Sequence, residues 1–317
     1  MFPRGFLRSL PISLGGIALS FASLGSLAQD VSALKAACVT VSVLLLVLLA
    51  ARCVRHPSLL RQDLAHRINA GVAGTVPMTL FVLSGYLNPA SPQAAFALWA
   101  IAFAAALFLA GNFFVRFIAR ESWRELTPAS FVALIGPLLC VMTGAGFPVG
   151  GLIEGVFRVV IVVTFALVPV VIVRYATNAP AAEPLRPLLC IFAAPPSMCL
   201  VNWLALGARP GAEVLAGVWA VCLGFWAFGF AAALRCAPRP FQPSFSAMTF
   251  PLVIAATATR AVAACLPSGL LAQAVGAVGW LQLAAAVALT LYVTARFAAF
   301  VARESRMRQG SERHGRT

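Results

Sequence analysis

Apolar residues run along this chain in stretches of about twenty, broken by short groups of charged and turn-forming residues. A helix needs roughly 20 apolar residues to cross about 30 Å of hydrocarbon, so each stretch reads as a membrane crossing. The pattern predicts ten transmembrane helices, over roughly 10–28, 31–51, 68–87, 92–118, 127–146, 150–172, 187–206, 212–234, 243–265 and 270–300, with a basic tail at 301–317. Links as short as Asn88 to Ser91 and Pro267 to Gly269 make neighbouring helices antiparallel. The whole chain therefore reads as one all-α integral membrane domain of five helical hairpins.

The charges between the stretches give an orientation, because cytoplasmic loops retain Lys and Arg. Basic residues fall at Arg4 and Arg8; Arg52, Arg55, Arg61 and Arg67; Arg116, Arg120 and Arg124; Arg174 and Arg186; Arg235 and Arg239; and Arg296 to Arg316. Every second loop is basic, which puts 19 of the 23 Lys and Arg on one side and leaves Lys35, Arg158, Arg209 and Arg260 for the other side or the membrane. Both termini are then cytoplasmic, in a bacterial-type inner (plasma) membrane. Arg4, Arg8 and the stretch up to Ser26-Leu27-Ala28-Gln29 imitate a signal peptide, but Pro11, Gly15 and Gly16 fit a repeat of the later helices, which favours an uncleaved first helix.

That repeat is one of proline in alternate helices. Pro11, Pro77, Pro137, the pair Pro195 and Pro196, and Pro251 lie in the odd-numbered helices, whereas the even ones carry interior proline only at Pro169. Proline removes a helical hydrogen bond, and irregular backbone at membrane depth survives only where protein or a watery cavity surrounds it. The alternation predicts an inner ring of five kinked odd helices wrapped by five straighter even ones. Small residues near the kinks, including Gly15, Gly16, Gly74, Gly136, Ala193 and Ala194, allow close approach of inner helices.

Composition narrows the chemistry. The chain is 61% hydrophobic and 10% charged, with a mean hydropathy of +0.94, and leaves no length for an attached soluble domain. Its net charge of +14 comes from loop arginines rather than an arm or recognition helix, so nucleic acid is not expected as a partner. The eight cysteines are scattered through apolar stretches without metal or redox spacing. The acids are Asp30, Asp63, Glu121, Glu125, Glu154, Glu183, Glu213, Glu304 and Glu312, of which only Glu154 falls inside a predicted span, four residues from Arg158 as a local pair. His56, His66 and His314 all lie in cytoplasmic segments, which speaks against an intramembrane proton relay. No HExxH, GxSxG or P-loop is present, so no catalytic residue, metal or cofactor is expected. What remains is a passage for a solute, and a basic protein poor in intramembrane acid favours anions.

The odd helices also carry a resemblance. Leu10-Pro11-Ile12-Ser13-Leu14-Gly15-Gly16, His56-Pro57 with the loop into Thr75-Val76-Pro77, Thr127-Pro128-Ala129 to Gly136-Pro137, Ala194-Pro195-Pro196-Ser197 and Thr249-Phe250-Pro251-Leu252 together resemble the tellurite-resistance and dicarboxylate transporter family, which includes TehA-type proteins and the slow anion channels of plants. The resemblance implies a quasi-fivefold arrangement of the five hairpins, a central pore lined by the odd helices, and a homotrimer with one pore per subunit. It also implies that Phe250 plugs the pore. Expected substrates range over chloride, nitrate, sulfite, malate and related dicarboxylates, and tellurite-type oxyanions. Arg260 departs from the family pattern, which is small or apolar there. On a continuous helix Thr257 lies within about 20° of the Phe250 face and Arg260 about 80° off it. Thr257 is then a pore-lining candidate, and Arg260 either snorkels to the outer interface or stands at the pore mouth.

The resulting expectation is an anion channel or facilitator with Phe250 as its gate and Pro11, Gly15, Pro77, Pro137, Pro195, Pro196, Pro251 and Thr257 along its path. The alternative is a proton-coupled carrier for C4-dicarboxylate, sulfite or tellurite-type oxyanions. The kinks are expected to free carbonyl oxygens that repel anions, leaving selectivity to the overall positive field.

Overall fold

At membrane depth a chain has only its own groups to satisfy each backbone N–H and C=O, and helices do this within one segment. The computed structural model describes residues 5–28, 31–120, 122–177 and 182–314, with side chains as far as Met307. Arg4, Gln29, Asp30, Glu121 and the side chains of Glu312, His314 and the arginines beyond Met307 lie outside the described residues. Within them the chain is helical, with no strand.

Among the described residues eight segments are long and apolar enough to cross a membrane, and they fall into two classes. Ser32–Arg55, Pro92–Ile118, Gly150–Thr177, Ala212–Cys236 and Leu270–Met307 are only 22–33% buried. Arg67–Leu87, Glu183–Ala205 and Pro243–Cys265 are 67–72% buried. The classes alternate along the chain, as the prolines do. The remaining two odd segments are shorter pieces: the helix Leu14–Leu27, and a stretch at 129–144 that is broken at Gly136-Pro137. All eight cysteines are free, and five of them are buried as small apolar groups.

We number the helices α1 (Leu14–Leu27), α2 (Ser32–Arg55), α3 (Pro57–Ala65), α4 (Arg67–Ala73), α5 (Thr75–Leu87), α6 (Pro92–Phe113), α7 (Ala129–Leu134), α8 (Leu139–Gly144), α9 (Gly150–Thr177), α10 (Ala194–Ala205), α11 (Ala212–Cys236), α12 (Phe250–Cys265) and α13 (Leu270–His314). Each odd segment is two pieces rather than one bent helix. A short first piece (3-10 at Leu7–Ser9, α4, α7, 3-10 at Glu183–Ala193 and 3-10 at Pro243–Met248) leads into a second (α1, α5, the 3-10 turn Gly136–Leu138 with α8, α10 and α12). Pro77, Pro137, Pro195, Pro196 and Pro251 stand in the first turn of the second piece, and Pro11 stands just ahead of α1. A first-turn residue has no intrahelical acceptor for its N–H, so proline costs little there. The expected mid-helix kinks are therefore helix starts.

Hydroxyls close the breaks. Thr75 Oγ1 donates to the Val72 carbonyl at 2.7 Å, Ser197 Oγ to Ala193 at 2.8 Å, and Thr249 Oγ1 to Ser246 at 2.8 Å. Each of these carbonyls ends a first piece. The break at Gly136-Pro137 is closed from a neighbour: Asn202 Oδ1 on α10 accepts the Met142 N–H at 2.9 Å while its Nδ2 donates to Met198 at 2.8 Å.

Small residues set the spacing of the inner pieces. A Cβ on Gly15 would stand 2.5 Å from Thr75 Oγ1, joining α1 to α5, and one on Gly16 would stand 3.4 Å from Ser246, joining α1 to the start of the ninth segment. Gly71 on α4 faces the Ala129 carbonyl, and Gly136 faces Met78. Phe131 meets Phe192 edge to face at 5.2 Å, and α10 packs on α12. The inner pieces thus contact one another in the cyclic order first, third, fifth, seventh, ninth, first.

The basic loops are tied down at one end of the bundle. Arg52 pairs with Asp63 at 2.7 Å with both side chains buried, and Asn69 donates to the same carboxylate at 2.9 Å. Arg67 contacts the Glu125 backbone and carboxylate, Arg174 donates to the Arg124 carbonyl at 3.0 Å, and Arg239 pairs with Glu183. His56, which ends α2, is held below its ordinary pKa by partial burial and then by the nearby Arg8, Arg52 and Arg55, so it is neutral at neutral pH. The outer helices run further than their apolar patterns suggest: α2 reaches Arg55, α9 reaches Thr177, and α13 continues through much of the basic tail to His314.

The close approaches can be ranked by what would have to move. At Gly71 a Cβ would come within 2.6 Å of a backbone oxygen, whereas at Gly136 it would meet the flexible end of Met78 at 2.8 Å, and at Gly217 it meets nothing. Gly71→Ala is expected to cost about 1–3 kcal/mol of stability. Gly136→Ala should cost less, and Gly217→Ala should be neutral or slightly stabilising. Thermal unfolding midpoints of the three variants in one detergent check the order.

Candidate functional site

A cavity of about 40 Å³ lies where the five odd segments meet. Its wall takes Gly16 from the first, Thr75 and Met78 from the third, Phe131 and Gly136 from the fifth, Ala194, Pro195 and Met198 from the seventh, and Ser246, Phe250 and Pro251 from the ninth. This is room for about one to three waters. No lining residue is charged.

The wall is built from the breaks. Gly136, Ala194 and Phe250 each immediately precede the proline of their segment, and all three line the cavity. Two of the three are small and Phe250 is large. Phe250 is 6% exposed and packs with Ile254 and the other apolar residues of the same core as Phe131, Met78 and Met198.

Second pieces start beside this cavity, and helix starts carry partial positive charge, roughly half an elementary charge for a full helix. The N–H groups themselves are used in 3-10 turns: Gly15 bonds Ile12, Gly16 bonds Ser13, and Leu252 bonds Thr249, each at 3.0–3.1 Å. The neighbouring carbonyls are held by hydroxyls, as described above. The helix starts therefore offer a field favourable to negative charge, and the Ser246 hydroxyl adds a polar group to the wall.

The sequence candidates divide. Phe250, Pro195 and Pro251 line the cavity. Gly15 does not; it faces Thr75, and its neighbour Gly16 takes the lining position. Pro11, Pro77, Pro137 and Pro196 set up the breaks without lining the cavity. Thr257 is seven residues, about 10 Å of helical rise, beyond Phe250, and its hydroxyl donates to the Val253 carbonyl at 3.0 Å. Arg260 is turned to the outer helix α13, its guanidinium 4.4 Å from the Trp280 ring centroid. Glu154 and Arg158 pair at 3.4 Å on the exposed face of α9.

Sequence reasoning missed Phe131, Met78, Met198 and Asn202. A phenylalanine among 23, or a methionine among 6, carries no mark of facing inward. Asn202 had a signal, since an asparagine amid an apolar run must find partners at membrane depth.

The comparisons now bear on this arrangement. The model of the family described as voltage-dependent anion channel matches residues 8–298, nearly the whole chain, and it is the family that the five proline-bearing segments resemble. No curated protein matches the sequence. A family match over this length, carried by a multi-pass helical protein whose five broken segments meet at an uncharged cavity, establishes that the chain belongs to the voltage-dependent anion channel family.

Proposed function

We propose that the chain is an anion channel or facilitator whose path runs between the five odd segments and is closed at Phe250. The observation that carries this reading is the cavity itself, lined from all five odd segments, with Phe250 in its wall. Stripping water from an anion at an apolar constriction without compensating donors is costly, so a phenyl ring across the path is a barrier. Helix starts around the constriction favour an anion over a cation passing it.

In this reading the ten predicted segments are ten spans, arranged as five hairpins in quasi-fivefold fashion. The alternation of buried and exposed segments and the cyclic contacts of the inner pieces support that count. The protein sits in an inner membrane with cytoplasmic termini, and it assembles as a homotrimer with one path per subunit. Thr257 belongs to the same path on the far side of Phe250. The substrates are small inorganic or organic anions.

Reporter fusions test the topology. A cytoplasm-dependent reporter placed after Arg61, Arg124, Arg186 or Arg239 should be active, and one placed after Asn88, Pro148 or Pro210 should be silent. Activity after both Asn88 and Arg124 overturns the ten-span count.

Proteoliposome flux separates a channel from a coupled carrier. Chloride or nitrate flux should follow an imposed voltage and persist when the pH gradient is collapsed; loss of flux with the pH gradient identifies a carrier.

The gate is tested by Phe250→Ala, which should raise chloride or nitrate conductance at least about tenfold, corresponding to roughly 1.4 kcal/mol of barrier. Phe245 is the control. It is 1% exposed and packs against Phe241 at 5.2 Å, away from the cavity. Phe245→Ala should lower stability by about 3–5 kcal/mol while changing conductance much less. Equal conductance changes, or no rise from Phe250→Ala in folded and inserted protein, rule the gate out.

A further inference from the structure

A second, larger hollow opens on the flank of the molecule, of about 1180 Å³, between α9 and α11 and floored by the 3-10 stretch Glu183–Ala193. It plays no part in the passage described above. Its walls are apolar and aromatic, with Phe192, Phe225 and Phe228 prominent, and Phe228 is 51% exposed. Both flanking helices are membrane-spanning segments buried over less than a third of their length. The hollow therefore faces the bilayer rather than water.

One end is different. Arg186, Arg235 and Arg239 line it, with Arg235 in the last turn of α11. Among the described residues the carboxylate paired there is Glu183, which contacts both Arg186 and Arg239. Three guanidinium groups against one carboxylate leave the end positive. Among the described residues no side-chain partner is seen for the Arg235 guanidinium, and in the adjoining wall the Arg174 guanidinium lies 4.3 Å from the Tyr175 ring centroid.

The dimensions fit one leaflet. From Val221 to Arg235 the groove follows α11 for 14 residues, about 21 Å of rise. Half of a bilayer's hydrocarbon is about 15 Å, and the headgroup layer adds to it. An apolar trough of this length ending in cations matches a molecule with an acyl chain and an anionic head.

A second copy of the chain is a poorer occupant. Of its described acids, Asp63, Glu125, Glu154 and Glu183 are already paired with arginines of their own chain, Glu213 stands in the first turn of α11 at the opposite end from Arg235, and the net charge of +14 sets a second copy against a positive rim. From this charge and shape the geometry points to a binding site for one anionic glycerophospholipid, its chain along Phe192, Phe225 and Phe228 and its phosphate at Arg186, Arg235 and Arg239. The site holds α9 to α11 over the start of the seventh segment and thereby ties the composition of that leaflet to the helix that carries Ala194 and Pro195.

The test compares phosphatidylglycerol with phosphatidylcholine of identical chains, added to delipidated full-length protein in neutral detergent and read by native mass spectrometry. Wild-type protein should retain the anionic lipid in preference. Arg235→Gln, at an exposed residue, should weaken that retention about fivefold, the factor for about 1 kcal/mol per arginine beside an anionic lipid. Gly224→Trp fills the trough from a position where an added Cβ meets nothing within 4 Å, and it should reduce binding of both lipids. Equal retention of the two lipids by wild-type protein, or an unchanged preference in Arg235→Gln, overturns the assignment. So does loss of oligomer in Arg235→Gln with lipid retention intact, which marks the groove as a contact between copies. None of these readouts uses flux, so the result stands apart from the gate.

Discussion

The rest of this structure depends on one constraint: backbone polar groups in the hydrocarbon must be satisfied by the protein itself. Five of the segments break that rule locally, at or beside proline. Each break is tolerable because it is buried among the others. Thr75, Ser197 and Thr249 supply donors to carbonyls that end the first pieces, and Asn202 supplies both an acceptor and a donor. Lipid offers none of these, so the broken segments sit inside and the continuous helices sit outside.

Close packing of the inner pieces follows from the same constraint. For Thr75 to stand beside Gly15 on α1, and the Ala129 carbonyl beside Gly71 on α4, the segments must approach to distances that only glycine allows. The outer helices face fewer demands of this kind, and Gly155, Gly217, Gly224 and Gly276 on them have open space around their Cα. Their contribution is to cover the ring and to anchor it through single polar links, such as Ser42 to the Ala18 carbonyl at 2.8 Å and Trp99 to the Cys140 carbonyl at 3.2 Å. The ring in turn leaves a void at its centre, since the broken segments place small residues and helix starts at one level. Phe250 is the large side chain at the position, immediately before the proline, that Gly136 and Ala194 occupy in the fifth and seventh segments.

The division between legible and illegible falls along the same line. Hydropathy alone shows the membrane class, because about twenty apolar residues in succession have no other stable setting. Loop arginines show which loops share a side, and the alternating prolines show which segments need shelter. Those are properties of composition and order, and they survive any error in helix phase. The five motifs around the prolines carry the family as well, because they are short and local.

Phase is what the sequence could not supply. Each odd segment restarts at its break, often through a 3-10 turn, and a restarted helix does not keep the 100° per residue of the piece before it. Gly16 rather than Gly15 therefore faces the cavity, and Phe131, from a first piece, lines it together with Phe250, from a second. Thr257 stands about two turns beyond Phe250 and is not among the residues that line the cavity. Arg260 is drawn to Trp280, a residue on the next helix that no spacing within its own helix could reveal. The sequence by itself determined that the chain crosses a membrane, which segments are broken and which loops are basic, since these follow from the solubility and backbone chemistry of each residue where it stands. Only the tertiary structure decided which side chains meet at the centre and which meet the lipid, because that depends on how five restarted helices turn against one another.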